Sequence, residues 1–331
     1  MARKSSAPVA APAPAATFSA PLAFAVLIAL VVCLPLAVSW SMATVICIMA
    51  IAASAFGLML GQAGMMSFGQ SAFFAIGAYA AGYAIKSWGF SLIPTLLFGT
   101  VMGGLAALFV GLLTARLKDV YFILMTLAFA QLVYFTALTW RSVTGGPSGL
   151  SGFDRPELSL GVAAMPLTSP AALYMLVAAL LVAVFVFRMV LMVSPLGMSL
   201  RAMKDNPDRL KAIGHAVWAY RLWSFAVGGM MTGLAGALYA VQWQLVPTSL
   251  AGVDQSAAIA FMSILGGVSH PLGPILGAGI YIWLSDIVSS YWARWPILFG
   301  LVIIFVALFV RGGLVQLLMW ALRRTGLGRT A

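Results

Sequence analysis

Residues 194–214 have the sequence SPLGMSLRAMKDNPDRLKAIG and interrupt a chain that is otherwise strongly apolar. Hydrophobic residues make up 63% of the 331 residues and charged residues only 8%, yet six charges fall within this stretch. Apolar runs long enough to cross a bilayer lie on either side of it, at 170–193 and 222–242. Charged side chains between two such runs have to lie in water. The stretch therefore predicts a membrane protein that meets a soluble partner at this point.

Apolar runs of helix length recur along most of the chain, and the mean hydropathy is +1.06. A bilayer core of about 30 Å needs about 20 helical residues, and the runs lack the alternation of a barrel strand. Ten runs qualify: 21–40, 43–60, 68–86, 92–115, 121–139, 170–193, 222–242, 257–268, 272–290 and 295–310. Because the eighth run is short, we predict an all-α polytopic transmembrane helical bundle of about 8 to 10 helices.

The basic residues predict the orientation of the bundle. With the N-terminus inside, 14 of the 18 Lys and Arg residues face the cytoplasm. The four that face outside are Lys86, Arg141, Arg155 and Arg294. This positive-inside bias favours an even number of crossings, with the N- and C-termini cytoplasmic. Because the basic residues are spread singly along the membrane flanks, the net charge of +11 does not indicate nucleic acid.

The chain divides into one membrane domain and two short ends. Residues 1–20 include a Pro/Ala-rich stretch and are expected to be a disordered cytoplasmic segment. Residues 21–313 form the transmembrane domain, which includes the cytoplasmic segment 194–221, and residues 314–331 form a basic cytoplasmic tail. No phosphate loop of the GxxxxGKS or GxxxxGKT type occurs in the sequence, so the chain does not hydrolyse nucleotide by that route. If ATP powers transport, the ATPase is a separate polypeptide.

Residues 206–214, NPDRLKAIG, predict a short helix with both ends specified. Asn206 suits the N-cap and Pro207 suits the first helical position. Asp208 suits the positive end of the helix dipole, and Gly214 suits a left-handed stop. A well-capped helix of about two turns is therefore expected where water meets the membrane.

The side chains of this helix predict a docking surface. Leu210 and Ile213 are three residues apart and share one face, whereas Arg209 and Lys211 point elsewhere. An apolar stripe on so short an element favours a partner groove. An ordinary basic loop between two membrane helices is the alternative, since cytoplasmic connections are positively charged anyway.

Small residues four positions apart inside the apolar runs predict close packing of helices, because they allow the backbones to approach each other. The pairs are Gly57 and Gly61, Gly77 and Ala81, Gly229 and Gly233, and Gly273 and Gly277.

Two stretches break helical continuity, at 61–70 (GQAGMMSFGQ) and at 265–274 (LGGVSHPLGP). Irregular backbone at membrane depth is tolerated only where it faces protein or a water-filled cavity. The polar side chains that could then line a translocation pathway are Gln62, Ser67 and Gln70 in the first stretch and His270 in the second. Cytoplasmic turns explain both stretches equally well.

Four further polar residues lie in or beside apolar runs. Gln131 is expected either to hydrogen bond between helices or to contact a polar solute in the pathway. An ionisable group such as Asp286 inside an apolar run indicates a function, unless it is hydrated at the outer end. Asp254 follows an outer loop and is expected to face the periplasm, and Arg188 can snorkel to the cytoplasmic surface.

Catalytic and metal chemistry has no support in the sequence. His215 and His270 have no Cys or acidic residue at metal-ligand spacing, and no Ser or Cys has a His and an acid arranged around it. Cys33 and Cys47 lie within apolar runs and are interpreted as packing residues. We therefore expect no catalytic residue, no metal and no cofactor.

Four collinear stretches resemble the permeases of ABC importers for branched-chain amino acids, the LivH/LivM family, and specifically the M-type (LivM-like) subunit. They are GQAGMMSFGQSAFFAIGAYA at 61–80, DVYFILMTLAFAQLVYFTALTWRSVTGGPSGLSG at 119–152, the charged segment 194–214 followed by YRLWSFAVGGMMTGLAGALYA at 220–240, and MSILGGVSHPLGPILGA at 262–278. The resemblance spans about residues 43–313.

This resemblance implies a multi-pass protein of the bacterial inner (plasma) membrane, surrounded by membrane lipid. The implied partners are a LivH-like paired permease subunit, two cytoplasmic ATP-binding subunits and a periplasmic solute-binding protein. The residues that the resemblance assigns to ATPase contact are Asn206, Leu210, Ile213 and Gly214. The positions that depart from the family pattern are Gln70, where the family usually has His, Asp119 (Gly), Ala258 (Glu), and Ser269 with His270 (Gly-Thr).

The leading hypothesis is a permease that alternates access when ATPases bind its cytoplasmic helix, and that imports leucine, isoleucine and valine or a related small polar solute. Other amino acids, urea, amides and small carboxylates are alternative solutes. An ion-coupled secondary transporter with Asp286 as the coupling group is an alternative of a different class. An integral membrane enzyme has the least support, because the seven acids and two histidines are scattered along the chain.

Overall fold

The computed structural model describes residues 20–114, 116–117, 119–156, 158–159, 164–165, 169–291, 297, 300–301 and 313–316. Helices joined by short connections dominate these residues. The helices are α1 (Ala20–Ala37), α2 (Trp40–Gly61), α3 (Gln70–Trp88), α4 (Leu92–Thr114), α5 (Asp119–Thr139), α6 (Arg141–Thr144), α7 (Pro170–Val193), α8 (Pro195–Asp205), α9 (Pro207–Ala212), α10 (Val217–Trp243), α11 (Val253–Gly266) and α12 (Leu272–Tyr291). One short antiparallel pair, β1 (Leu158–Ser159) with β2 (Ala164–Met165), lies between α6 and α7.

The all-α polytopic bundle predicted from the sequence is confirmed, and each apolar run up to residue 290 corresponds to a helix. Within the described ranges, six helices are long and apolar enough to cross a membrane: α2, α4, α5, α7, α10 and α12. Two further apolar helices, α1 and α11, are shorter. The number of crossings and the cytoplasmic position of both termini stay predictions. Residues 1–19, most of the run at 295–310, and residues 317–331 lie outside the described ranges.

A seam of small residues joins α4 to α10 along their lengths. In order along the seam, Gly99, Gly103 and Ala107 of α4 meet Ala237, Gly233 and Gly229 of α10. A Cβ atom added to Gly103 would lie 2.6 Å from the Cα atom of Gly233, so the two backbones are in direct contact there. In lipid, such close backbone approach supplies the van der Waals contact that holds helices together.

The packing seams predicted from paired small residues are confirmed. Gly77 packs against Gly233, Gly57 against Pro274, Gly61 against the carbonyl of Val268, and Gly277 against the carbonyl of Met262.

Burial differs sharply between helices and shows which of them face outward. α2 lies at the centre of the bundle, where 89% of its membrane-length window is buried. The corresponding figure for α5 is 22%. α5 is therefore a peripheral helix of the isolated chain, and most of its surface is available to lipid or to another subunit.

The connection between α10 and α11, which the sequence predicts as an outer loop, is a third break in helical continuity. Gln244 closes α10 with a left-handed backbone, φ 53°, and Val246 pairs with Leu150 in an antiparallel bridge. A short 3₁₀ turn, Thr248–Ala251, then leads into α11, and Gly252 is the N-cap of that helix. The backbone thus turns back into the bundle from its outer end before α11 begins.

Candidate functional site

The charged segment folds into two short helices, α8 and α9, that share Asn206 at their junction. The side chain of Asn206 accepts a hydrogen bond of 3.0 Å from the amide of Arg209, and Pro207 is the first residue of α9. Gly214 follows α9 with a left-handed φ of 87°. The predicted N-cap, first residue and stop are all confirmed, since each residue type satisfies a local backbone requirement.

The longer helix of the segment, α8, was not predicted. Ser194 caps α8 by accepting a hydrogen bond of 3.1 Å from the amide of Gly197. Leu200 and Met203, on the inner face of α8, are buried. The signal was present in the sequence as a Ser-Pro start and an apolar pair three residues apart. Because α10 begins at Val217, the last residues of the predicted cytoplasmic segment 194–221 are helical, and its boundary at residue 221 stays a prediction.

The predicted apolar docking stripe of α9 is wrong in one of its two residues. Ile213 is 73% exposed, but Leu210 is only 4% exposed because it packs into the core of its own chain. The buried Leu210 holds α9 against the bundle and is not accessible to a partner. Beside it, Lys211 and Asp208 form an exposed ion pair of 3.4 Å, and Arg209 is exposed. The surface that α9 offers to a partner therefore consists of Ile213 and charged side chains.

Two cations, one in this segment and one just after it, bond to the ends of membrane helices. The Nζ atom of Lys204, in α8, donates to the carbonyl of Gly61, the last residue of α2, at 2.9 Å. Nη1 of Arg221, near the start of α10, donates to the carbonyl of Leu117, just before α5, at 3.0 Å. A cleft of about 380 Å³ lies between these contacts and is lined also by Pro207. A displacement of α8 would therefore act directly on the end of α2, and a displacement of the start of α10 would act on the residues before α5.

The irregular connection between α2 and α3 is held by a buried hydrogen-bond network. Ser67 accepts from the amide of Gly69 at 3.2 Å. The Oε1 atom of Gln70 accepts from the Thr232 hydroxyl at 2.6 Å, and its Nε2 atom donates to the sulfur of Met59 at 3.0 Å. Ser67 and Gln70 have no exposed surface, so neither is open to a solute in this conformation. A pathway role for them stays a prediction.

Gln62 differs from these two residues, although it lies in the same connection. It is 3% exposed, and neither its Nε2 nor its Oε1 atom has a hydrogen-bond partner among the described residues. A buried amide in that state costs on the order of 1–3 kcal/mol. Gln62 therefore keeps unused hydrogen-bonding capacity next to the C-terminal end of α2.

The remaining pathway candidates lie apart from one another. Gln131 is half-buried on α5, and Asp286 is exposed on the surface of α12, towards the end opposite to its start at Leu272. His270 lies in the turn between α11 and α12. Of the six candidates, Ser67 and Gln70 lie in one connection with buried hydrogen bonds, but they bond to different partners: Ser67 to the amide of Gly69, and Gln70 to Thr232 and Met59.

His270 is held as a neutral side chain beside a buried cation. Burial, together with the charge of Arg188, lowers the pKa of His270 to about 4. The neutral ring accepts a hydrogen bond of 3.2 Å through Nδ1 from the amide of Leu272, the first residue of α12. His270 thus caps α12, which gives it a structural task whatever its part in transport.

The geometry is that of an apolar bundle in which the charged segment contacts the end of a long apolar helix. The family model described as the branched-chain amino acid transport system permease component matches residues 38–310. This chain belongs to that permease family. The permease is 26% identical over 292 residues to the high-affinity branched-chain amino acid transport system permease protein LivM of Escherichia coli strain K12, and the match covers 79% of this chain and 68% of the relative.

Two other relatives show the range of the family. The permease is 32% identical over 209 residues to the autoinducer 2 import system permease protein LsrC of Enterobacter sp. strain 638, a match to 61% of this chain and 57% of the relative. It is 26% identical over 201 residues to the probable branched-chain amino acid transport permease protein LivM of Methanocaldococcus jannaschii, with 60% and 57% covered. No solved structure matches the permease significantly.

The family and the six apolar helices identify the permease as a multi-pass protein of the bacterial inner membrane. Its departures from the family pattern fall at structurally different places. Gln70 is in the buried network, Ala258 is half-buried on α11, His270 caps α12, and Asp119 is the first residue of α5.

Proposed function

We propose that this permease is the membrane subunit of an ABC importer that carries branched-chain amino acids, or a related small polar solute, from periplasm to cytoplasm. Separate ATPase subunits supply the energy, and the permease itself is not an enzyme. The observation that carries the proposal is the pair of helices α8 and α9. They stand between two membrane helices, α7 and α10. Lys204 of α8 bonds to the end of α2, and Arg221, near the start of α10 and just after α9, bonds to Leu117 before α5.

The coupling step follows from these contacts. Ile213, Arg209 and the ion pair of Asp208 with Lys211 form a mixed apolar and charged surface that suits a groove on a soluble protein. Lys204 connects α8 to the end of α2 through a charge-assisted hydrogen bond, and Arg221 connects the start of α10, which follows α9, to Leu117 before α5. An ATPase that moves α8 and α9 on binding ATP would shift the cytoplasmic ends of these helices and change the access of the pathway.

The partner set comes from the family rather than from contacts in the chain. We propose a LivH-like paired permease, two ATP-binding subunits and a periplasmic solute-binding protein. The weakly buried α5 supports a paired permease, because a helix with 22% of its window buried has surface for another subunit.

The relatives support two classes of solute. Those named for branched-chain amino acids favour leucine, isoleucine and valine, and LsrC, which is named for autoinducer 2 import, supports a sugar-like alternative. Other amino acids, urea and amides are further alternatives within the same importer class. The aliphatic amino acids are preferred here because a LivM relative has the longest match.

The coupling surface is tested by the double variant Arg209→Glu with Ile213→Asp. Both side chains are exposed, so the permease should still insert and pair, while co-purification of the ATPase subunits and ATP-driven uptake should fall at least about tenfold. Arg141→Glu is the matched control, because it reverses an exposed charge at the outer end of the bundle. Normal uptake in the double variant would refute the coupling assignment.

A further inference from the structure

Asp254 lies in the first turn of α11, and three contacts place that turn at the middle of the bundle. The neighbouring Gln255 reaches the sulfur of Met49, near the midpoint of α2, at 3.6 Å. Asp254 itself lies within electrostatic range of Tyr281, near the midpoint of α12. Asp254 is therefore level with the midpoints of these helices rather than in the outer loop, because the break between α10 and α11 brings the chain back into the bundle; that it faces the periplasm stays a prediction.

A third contact gives the depth relative to the outer loops. The hydroxyl of Ser256 donates to the carbonyl of Phe68 at 2.6 Å and accepts from the amide of Ser71 at 2.9 Å. Ser71 is in the first turn of α3, whereas Gly82 of the same helix packs against the outer loop at Leu150. Gly82 is eleven positions after Ser71 in this helix, so the two residues are roughly 16 Å apart along the helix axis.

The carboxylate of Asp254 is exposed on the isolated chain, and none of the described cations forms an ion pair with it. In the described part of the chain, the one ion pair is that of Lys211 with Asp208 at the cytoplasmic surface. The positive end of the α11 dipole favours a negative charge in the first turn, which accounts for why a carboxylate is tolerated there. The dipole does not replace a counter-ion, and an ionised group at mid-depth does not face hydrocarbon. The surface that carries Asp254 therefore faces water or another subunit.

We propose that Asp254 lines the translocation pathway and binds the ammonium group of the transported solute. This inference rests on the proposed function and narrows it to solutes that carry a primary ammonium group, as aliphatic amino acids do. A carboxylate attracts an ammonium group and gives a sugar-like solute no charge to pair with. Because the carboxylate is at mid-depth, it would bind the ammonium group of the solute about halfway between the periplasmic and cytoplasmic ends of the pathway.

The proposal is tested in the assembled importer, with its paired permease, ATPases and binding protein, reconstituted in proteoliposomes. Initial rates of ATP-driven leucine uptake are compared for the wild type, Asp254→Asn, Asp254→Glu and Asp154→Asn. Asn keeps the size and the helix-end hydrogen bonding of Asp but removes its charge, so uptake should fall about tenfold or more. Asp254→Glu should stay within about threefold of the wild type. Asp154→Asn, which changes an exposed acid in the outer connection, should be unchanged.

The possible results separate the inference from the proposed function. Wild-type leucine uptake with equal uptake by Asp254→Asn would overturn the role of Asp254 and leave the proposed function standing. A wild type that takes up a sugar-like solute and no leucine would overturn the solute assignment itself. Loss of the paired permease from purified Asp254→Asn would show an ion pair between subunits, which also overturns the inference.

A second measurement does not depend on transport. Asp254→Cys is introduced with Cys33→Ala, and Cys47, which is buried, is left in place. A membrane-impermeant, positively charged thiol reagent should label the new cysteine from the aqueous phase in the assembled importer. No labelling above the Cys33→Ala background would overturn the claim that this position lines a water-filled pathway.

Discussion

At the scale of single residues, Arg188 shows most clearly how packing changes the meaning of a sequence position. Its place near the cytoplasmic end of α7 predicts snorkelling, but the side chain is only 1% exposed. Nη1 of Arg188 lies beside Gly57 of α2, on the side where a Cβ atom would be. Pro274 of α12 approaches Gly57 at the same place. Nε and Nη1 have no hydrogen-bond partner among the described residues. A cation left in this state costs free energy unless another state of the transporter uses it.

The variant Arg188→Met tests whether that cost is present. Met has a similar length and no charge, so removing a buried guanidinium whose Nε and Nη1 atoms have no partner among the described residues should stabilise the purified permease by about 1–3 kcal/mol, while uptake falls. The measurement is the melting temperature in detergent together with uptake in proteoliposomes. Arg221→Met is the control, since it removes a hydrogen bond to Leu117 and should lower the melting temperature. A lower melting temperature in Arg188→Met would show that Arg188 is compensated in the folded state.

At the scale of elements, the pairing of α4 with α10 depends on the absence of side chains at the contact. Gly103 and Gly233 bring the two backbones together, and Gly99 and Ala237 repeat the contact one turn away. Neither helix has a charge on this seam. The association therefore depends on shape, and one added methyl group at the centre has to displace backbone.

Gly103→Ala should therefore destabilise the bundle by about 1–3 kcal/mol, which is the usual cost of overpacking. Gly279→Ala is a matched control in α12, because a Cβ atom added there would meet only the Ile46 side chain, at 3.8 Å. That variant should be neutral or slightly stabilising, since Ala favours helix over Gly. Both are measured as melting temperatures of the purified permease. Equal melting temperatures would mean that the seam relaxes without cost.

The helices also show which features of the fold could be predicted from the sequence. The helix positions followed from the length of the apolar runs, and the ends of α9 followed from Asn206, Pro207 and Gly214, because these properties are local. The burial of Leu210 and the depth of Asp254 did not follow. Both depend on contacts between residues far apart in sequence, such as Ser256 with Phe68, which no periodicity reports.

At the scale of the whole molecule, three features fit a chain that is one subunit of an assembly. α5 leaves most of its surface uncovered, Asp254 presents a charge level with the midpoint of α2, and Ile213, which follows α9, is exposed. Of these, the charge is the costly one, because an ionised group does not face hydrocarbon, whereas α5 can face lipid and a single exposed isoleucine needs no partner. The position of Asp254 is therefore the strongest reason to expect a water-filled pathway or another subunit beside this chain.

This organisation predicts that the chain does not transport alone, which separates the importer from an ion-coupled secondary transporter. Liposomes that contain only the purified chain should take up no leucine under a proton or sodium gradient without ATP. Liposomes with the paired permease, the ATPases and the binding protein should take up leucine only when ATP is present inside. The physical reason is that Asp286, the candidate coupling group, is exposed on α12 and is not enclosed in a bundle where ion binding would be coupled to a change of access. Uptake by the chain alone that collapses in Asp286→Asn would establish the secondary transporter instead.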